Sequence, residues 1–246
     1  MNEDFLINYL QNYNNISFDK IKNKQEKIRT FMNITMPNNL SNEFFKKQDE
    51  YLQHLQKTKK IISAEEILKD SQIALYLGDI TTIKADAIVN AGNSELLGCF
   101  APLHHCIDNA IHSFGGLQIR RDLMNIMNGR TEENGKCEVT KGYNLPSKFI
   151  FHTVGPIYNG KITQQMETDL KNCYLECLKQ ADKMGLSSIV FCSISTGVFG
   201  FPIEIASKIV IKTVTKYLKD TNSKLKVIFN LFSQKDYDIY ERELNK

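Results

Sequence analysis

Cysteine and histidine side chains are concentrated in one short segment of the chain. Residues 98–109 read Gly-Cys-Phe-Ala-Pro-Leu-His-His-Cys-Ile-Asp-Asn. Because thiolate and imidazole are preferred ligands of zinc, Cys99, His104 and Cys106 form a candidate metal site, with Pro102 turning the chain between the first ligand and the other two. Three protein ligands with one open position are typical of a reactive zinc ion.

The same spacing has a second interpretation. A loop that enters a helix, with Cys106 in the core and both histidines at the surface, explains these residues equally well, because the pattern is not that of a standard zinc finger. The chemistry of the zinc deaminases is not favoured. Their signature requires His-x-Glu and a later Pro-Cys-x-x-Cys, and the chain has neither.

A glycine-containing loop, Ser-Thr-Gly-Val-Phe-Gly-Phe-Pro, occupies residues 195–202. It lies between a predicted buried strand and a predicted helix. Glycine allows backbone N–H groups to approach a phosphate, and the start of the following helix favours negative charge. The loop is neither a Walker A sequence nor a GxGxxG fingerprint, and ordinary turn formation explains its two glycines as well.

Polar side chains follow two other predicted strands. An Asp79 carboxylate accepts hydrogen bonds and suits an exocyclic amine, and the amides of Asn90 and Asn93 suit sugar hydroxyls. Each of these residues is also common in local turns, so the residue types alone do not decide. Cys173 and Cys177 look structural, because they share the apolar face of a predicted helix, and Cys192 lies in a predicted core strand. His152 is interpreted as a core or supporting histidine, and the role of Cys137 is left open.

These loops are positioned by an alternation of strands and helices that begins near residue 71. Short apolar runs predict strands at residues 73–77, 87–89, 149–151, 189–192 and 227–232. Apolar residues at three- and four-residue spacing predict two helices, one with Met166, Leu170, Cys173, Tyr174, Cys177, Leu178 and Ala181, and one with Ala206, Ile209, Val210, Val214 and Tyr217. The pattern predicts a three-layer α/β sandwich with a largely parallel sheet, in which ligands bind at the carboxyl ends of the strands.

The first part of the chain has a different composition. Residues 1–60 are rich in Asn, Lys and Gln, with apolar residues spaced as in short amphipathic helices. We predict a helical extension over residues 1–70 and a second domain over residues 71–246; a partly disordered tail is the alternative for the extension.

The whole-chain composition is that of a globular protein. The 246 residues carry a formal net charge of +3, too small to indicate a nucleic-acid or membrane binder. No apolar run approaches the roughly 20 residues of a transmembrane helix, and the start MNEDFLINYL does not resemble a signal peptide. We therefore expect a cytoplasmic protein whose 6 cysteines are thiols or metal ligands.

Taken in order, the loops resemble those of a macrodomain, the ADP-ribose-binding α/β/α module, across residues 71–246. The segments are Gly78-Asp79-Ile80, then Ile88-Val89-Asn90-Ala91-Gly92-Asn93, then the loop of residues 195–202. Residues 98–109 resemble more narrowly the zinc-containing macrodomains, which are protein-ADP-ribose hydrolases with an N-terminal helical extension. The resemblance implies a macrodomain sandwich with a mixed, largely parallel sheet.

The resemblance also implies roles for individual residues. Asp79 would hold the adenine amino group beside Ile80, and Asn93 would face the ribose next to the scissile bond. Residues expected to contact ADP-ribose are Asp79, Ile80, Asn90, Asn93, Cys106, Ile107, Asp108, Ser195, Thr196, Gly197, Val198 and Phe199. Residues expected to take part in catalysis are Asn93, His104 and Asp108, and those expected to bind Zn²⁺ are Cys99, His104 and Cys106.

Two positions depart from the family pattern. Gly92 stands where macrodomains more commonly have Ala, which loosens that loop. Val198 stands where some relatives have an acidic residue, so only its backbone is expected to bind. For Asp108, capping of the following helix is the alternative to a catalytic role.

The activity implied is zinc-dependent removal of ADP-ribose from mono-ADP-ribosylated protein side chains, through an oxocarbenium-like state as in glycoside cleavage. A carrier protein modified by a sirtuin-type ADP-ribosyltransferase is the substrate that the resemblance implies. A non-catalytic reader of ADP-ribose is the leading alternative. A nucleic-acid-binding or scaffold role for the extension is a second, which the acids among its lysines do not favour. The linkage cleaved, the natural substrate and the oligomeric state do not follow from the sequence.

Overall fold

A central sheet of six strands organises the molecule, which we describe over residues 2–246 of a computed structural model. The strands follow one another in the order β2-β8-β7-β4-β6-β5, and every pair is parallel except β5 with β6. The sheet strands are β2 (Ile73–Leu77), β4 (Ala87–Ala91), β5 (Cys137–Lys141), β6 (Phe149–Thr153), β7 (Ser188–Cys192) and β8 (Lys226–Leu231). A separate short pair joins β1 (Ile62–Ser63) to β3 (Ile83–Lys84).

Helices flank this sheet, which confirms the predicted α/β fold. After the extension they are α4 (Ala64–Leu68), α5 (Ile107–Gly115), α6 (Leu117–Met127), α7 (Gln164–Lys183), α8 (Ile203–Thr221) and α9 (Gln234–Leu244). The seven apolar residues predicted for α7 are the buried residues of that helix. In α8, Ile209 and Tyr217 are only partly buried. Among residues 2–246, no helix combines the length and apolar character needed to cross a membrane.

The N-terminal extension is helical, as predicted. It contains α1 (Glu3–Asn14), α2 (Lys24–Ile34) and α3 (Asn42–Lys57). These helices enclose a small apolar core of their own, which includes Leu117 of α6. Ala64 and Leu68 already pack into the core around the sheet, so the packing changes before residue 64. The domain boundary at residue 70 stays a prediction.

Several elements differ from the sequence-based expectation. β4 and β6 continue to Ala91 and Thr153, because the polar side chains of Asn90 and His152 are buried and contact each other instead of ending the strands. β8 ends at Leu231, which leaves Phe232 outside the sheet. The patterns did not predict β5, α6 or α9.

Candidate functional site

The loops that carry the candidate residues meet at the carboxyl edge of the parallel strands. β4 pairs with β7, so the loop with Asn93 neighbours the loop of residues 195–199. β2 pairs with β8, and Asp79 comes shortly after β2. α5 begins at Ile107 and packs against β4. In open α/β sheets this edge is where ligands bind.

Three potential metal ligands converge just before α5. The ligand atoms of Cys99, His104 and Cys106 all lie within 4.8 Å of one another. Cys99 Sγ is 3.6 Å from His104 Nδ1; the bond lengths of a tetrahedral zinc site imply a sulfur–nitrogen separation of about 3.6 Å. Two thiols and an imidazole are also a donor set that zinc prefers. The residues fit zinc, and the ion itself stays a prediction.

Cys106 has a second structural role. It caps α5, because its Sγ accepts a hydrogen bond from the backbone N–H of Asn109 at 3.4 Å. Burial raises the pKa of the Cys106 thiol to about 11, although that hydrogen bond acts in the opposite direction. Because the side chain that caps α5 is that of Cys106, the helix-capping alternative for Asp108 is wrong.

Asp108 instead belongs to a buried polar cluster between α5 and β4. Its carboxylate is 5% exposed and accepts a hydrogen bond from Asn90 Nδ2 at 2.8 Å. His112 Nε2 lies 3.4 Å from the same oxygen. Burial raises the pKa of Asp108 to about 6, while the Asn90 hydrogen bond and the charge of Arg120 oppose the rise. The cluster fixes one carboxyl group two residues after a candidate metal ligand.

The cluster continues through the sheet. His152 is fully buried, in agreement with the core position predicted for it. Its Nδ1 is 3.2 Å from Asn90 Nδ2, and its Nε2 is 2.9 Å from Thr140 Oγ1. Burial lowers the pKa of His152 to about 3, so the ring is neutral at pH 7. Asn90 is therefore held on two sides, by Asp108 and by His152.

The side chain of Asn93 is engaged in its own turn. Its Oδ1 accepts hydrogen bonds from the backbone N–H groups of Glu95 and Leu96, at 3.2 and 3.1 Å. Its Nδ2 donates to the carbonyl oxygen of Gly98 at 3.2 Å. Asn93 thus connects the loop after β4 to the residue that precedes Cys99. Its predicted contact with ribose stays a prediction.

Asp79 is similarly shared between a turn and a neighbouring charge. Its Oδ1 accepts hydrogen bonds from the backbone N–H and hydroxyl of Thr81, at 2.9 and 2.7 Å. Its Oδ2 lies 3.4 Å from Lys59 Nζ, and its side chain is 42% exposed. Lys59 also stands 3.5 Å from the centre of the Phe114 ring on α5.

The loop of residues 195–199, whose contact with a diphosphate stays a prediction, is shaped by Ser195 and two neighbouring glycines. Ser195 has a positive φ of 67°, and its carbonyl oxygen accepts a hydrogen bond from the N–H of Phe201 at 2.9 Å. The buried hydroxyl of Ser195 has no hydrogen-bond partner. A side chain at Gly155 would lie 2.1 Å from that hydroxyl, so only glycine fits there. Nothing lies within 4 Å of a side chain placed at Gly197, which leaves its backbone accessible.

Comparison with known proteins identifies this arrangement. Residues 89–210 match the Macro domain family. The chain is 44% identical over 226 residues to a protein-ADP-ribose hydrolase of Staphylococcus aureus (strain MSSA476), covering 90% of this chain and 85% of the relative. It belongs to the macrodomain family.

Two further relatives cover nearly the whole macrodomain. A protein-ADP-ribose hydrolase of Treponema medium is 40% identical over 250 residues, covering 97% of this chain and 96% of the relative. A Trypanosoma brucei macrodomain in complex with ADP-ribose superposes with a TM-score of 0.67 at 29% identity, covering 87% of this chain and 94% of the other.

The macrodomain has one exposed aromatic side chain at this edge that sequence analysis did not select. Phe232 is 87% exposed and follows the last residue of β8. The N–H of Gly78 donates to the carbonyl oxygen of Leu231, so the chain at Phe232 adjoins the Gly78–Asp79 turn. The available signal was a large apolar residue immediately after a buried strand.

Proposed function

We propose that this macrodomain removes ADP-ribose from mono-ADP-ribosylated protein side chains. The observation that carries the proposal is the Cys99–His104–Cys106 cluster beside the buried Asp108, at the sheet edge that also bears Asp79. Relatives with this activity in their names match 85% and 96% of their own lengths. We extend the proposal to a carrier protein modified by a sirtuin-type ADP-ribosyltransferase as the substrate.

The proposal includes a zinc ion held by Cys99, His104 and Cys106. Their donor types and separations fit the ion, and three ligands leave one position open. When bound, such an ion supplies Lewis-acid stabilisation and lowers the pKa of a coordinated oxygen. Cys106 and His104 then have to be held rigidly, and the cap of α5 fixes the first of them.

The chain's own residues act on the ribose and the departing side chain. In this proposal Asn93 orients the loop between β4 and Cys99 beside the ribose, because its Nδ2 donates to the carbonyl oxygen of Gly98. Asp108, fixed by Asn90, orients the attacking water with its carboxylate. Holding the water and C1 of ribose in line lowers the barrier chiefly by removing rotational and translational freedom before reaction.

The opposite end of the ligand is bound without the metal in this proposal. Asp79 accepts a hydrogen bond from the adenine amino group, and the exposed ring of Phe232 provides an apolar surface for the base. Backbone N–H groups of residues 195–199 hold the diphosphate, helped by the start of α8. Affinity for free ADP-ribose and turnover therefore depend on different loops.

Single-turnover release of ADP-ribose from a mono-ADP-ribosylated protein tests the proposal. We expect His104→Ala to lower the release rate at least a hundredfold while the Kd for free ADP-ribose changes less than threefold. A loss confined to turnover means that His104 acts mainly in the transition state. His105→Ala is the matched control, because His105 is an exposed neighbour outside the ligand cluster.

Removal of the metal is a second test of the proposed activity. A chelator should abolish release from the wild-type protein, and elemental analysis should find about one zinc per chain. Full activity of a metal-free protein would make the cluster structural. A wild-type protein that binds ADP-ribose and releases none from carboxylate or serine linkages is a reader.

A further inference from the structure

The loop that carries the candidate ligands is held from the N-terminal extension. We call residues 97–106 the ligand loop; it contains Cys99, His104 and Cys106. Leu103 in this loop has a positive φ of 58°, a backbone conformation that a leucine rarely adopts. Such a conformation persists only where the surroundings fix it.

Asn33, in α2 of the extension, supports that strained residue. It is buried, and its Oδ1 accepts a hydrogen bond from the backbone N–H of Leu103 at 3.0 Å. Its Nδ2 donates to Ser113 Oγ on α5 at 2.9 Å. One amide side chain therefore connects the extension to both the ligand loop and the helix that follows it.

Arg29, one turn earlier in α2, holds the next residue of the loop. Its guanidinium donates to the carbonyl oxygen of His104 at 3.2 Å. It also donates to Asn109 Oδ1 from two nitrogens, at 3.2 and 2.8 Å. Asn109 in turn donates from Nδ2 to the carbonyl oxygen of Ala101 at 2.9 Å. Arg29 thus acts on the loop at two points, directly and through Asn109.

Arg120 closes the arrangement at the start of the loop. It is 1% exposed and donates from Nε to the carbonyl oxygen of Leu97 at 2.6 Å. Its Nη1 donates to the carbonyl oxygens of Met32 and Thr35 at the end of α2. Its guanidinium also lies 4.4 Å from the centre of the Phe100 ring. The beginning and the strained middle of the loop are thereby tied to the same helix.

We infer that Arg29 and Asn33 are positioning residues for catalysis, through which the extension acts on the ligand loop. The inference rests on the proposed function. Neither side chain contacts the Asp79 turn or the loop of residues 195–199 by a hydrogen bond. Their loss should therefore displace His104 and its neighbours without removing the contacts for adenine and diphosphate.

The test compares Arg29→Gln, Arg29→Lys and Asn33→Ala with Arg121→Gln in the full chain. Arg121 is the matched control, because its guanidinium lies 4.5 Å from the Phe45 ring at the interface with the extension. The control loosens this interface and leaves the ligand loop untouched. Thermal unfolding of each variant identifies those that are folded; Arg29 is half-buried, so its variants keep the test possible if the buried Asn33→Ala does not fold.

We expect kcat to fall at least tenfold in Arg29→Gln and Asn33→Ala, with KM and the Kd for free ADP-ribose within threefold of wild type. A small displacement of reacting groups is sufficient for such a loss. Arg29→Lys should recover part of kcat, because it keeps one donor and the charge. Hydrogen exchange of residues 97–106 should be faster in Arg29→Gln and Asn33→Ala and unchanged in Arg121→Gln.

Several results would overturn the inference. They are a kcat within threefold of the Arg121→Gln control, unchanged hydrogen exchange in the ligand loop, or a loss that occurs only in the Kd for ADP-ribose. In each of these cases the wild-type protein remains an active hydrolase. A wild-type protein that releases no ADP-ribose removes the proposed function and, with it, a positioning role in catalysis.

Discussion

At the scale of single residues, the candidate site contains exposed side chains that a ligand can contact and buried side chains whose polar atoms bind other parts of the protein. Asn90 Nδ2 contacts both Asp108 and His152, although the buried Asn90 Oδ1 has no hydrogen-bond partner. Both ring nitrogens of His152 have a partner. Asp79 divides its two carboxylate oxygens between a turn and the exposed side facing Lys59. Substitutions at these positions therefore have to separate binding from local stability.

Asp79→Asn tests adenine binding while preserving the local turn. The amide keeps an oxygen for the Thr81 turn and replaces the outer acceptor by a donor. We expect ADP-ribose binding to weaken by about 1.5–3 kcal/mol, the range for a hydrogen bond to a charged group. Isothermal titration calorimetry measures the change.

Asp86→Asn is the matched control for this substitution. Asp86 also accepts backbone hydrogen bonds and pairs with a lysine, but it precedes β4 and so lies at the opposite edge of the sheet. Its affinity for ADP-ribose should equal that of wild type. Equal affinities in both variants would assign Asp79 to the turn alone.

The buried His152 predicts how stability responds to acid. Because burial lowers its pKa to about 3, the folded state holds the neutral ring while the unfolded state takes up a proton below about pH 6.5. Stability is therefore fully present above pH 6.5 and is lost as the pH falls from there to about 3.

In His152→Gln, unfolding no longer includes the uptake of a proton by this side chain. The free energy of unfolding should then fall less steeply between pH 6 and pH 4, by about 1.4 kcal/mol per pH unit. Urea denaturation at several pH values measures the slope. The control variant is His54→Gln, which replaces an exposed histidine of α3 and leaves His152 in place. Identical slopes in all three proteins would mean that His152 does not take up this proton.

At the scale of secondary-structure elements, α5 links the candidate metal site to the fold, since Cys106 both caps the helix and faces Cys99 and His104. Cys106→Ala should lose zinc and also about 1 kcal/mol of stability, because it removes the cap. Cys106→Ser should lose zinc as well but be more stable than Cys106→Ala, since a serine hydroxyl is a favoured cap. Elemental analysis and urea denaturation of the two variants measure both effects. Equal stability of the two would show that the cap contributes nothing.

The same scale explains which elements were predictable. The apolar face of α7 and the apolar runs of β7 and β8 were predictable, because their residue patterns alone indicate which side chains are buried. β5 was not predictable, because Cys-Glu-Val-Thr-Lys is an edge strand with few apolar residues and gains its pairing from β6. The ends of β4 and β6 depend on the contact between Asn90 and His152, which are far apart in sequence.

The site was predictable to a similar extent. The residue types and order of the loops indicated the macrodomain family, which the comparisons confirm. The supports of those loops were not predictable, because Arg29, Asn33 and Arg120 act on backbone atoms of distant residues. Backbone acceptors have no sequence signature. The individual roles assigned to Asp79, Asn93, Asp108 and residues 195–199 stay predictions.

At the scale of the whole molecule, two apolar cores meet at a junction with several polar contacts, and a buried arginine is among them. The core of the extension and the core around the sheet contain separate sets of side chains. Arg120 spans them, since it donates to Leu97 before the ligand loop and to Met32 and Thr35 in the extension. An arginine this deeply buried has its pKa lowered to about 10 by desolvation and is still charged at neutral pH.

Arg120→Met tests how strongly this junction couples the two cores. The substitution keeps much of the side-chain volume and leaves the carbonyl oxygens of Leu97, Met32 and Thr35 without their donor. Because each buried unsatisfied group costs about 1–3 kcal/mol, we expect unfolding to become easier by about 3 kcal/mol or more. Arg121→Met, which removes the contact with the Phe45 ring and none of the contacts of Arg120, should cost about 0.5–1 kcal/mol.

Urea denaturation followed by circular dichroism compares the two variants, and hydrogen exchange shows which elements lose protection. In Arg120→Met, hydrogen exchange should become faster in α1–α3 and stay slow in β7 and β8, because the extension then opens while the core around the sheet is still folded. Simultaneous acceleration in all of these elements would show that the extension and the sheet unfold as one unit without help from Arg120.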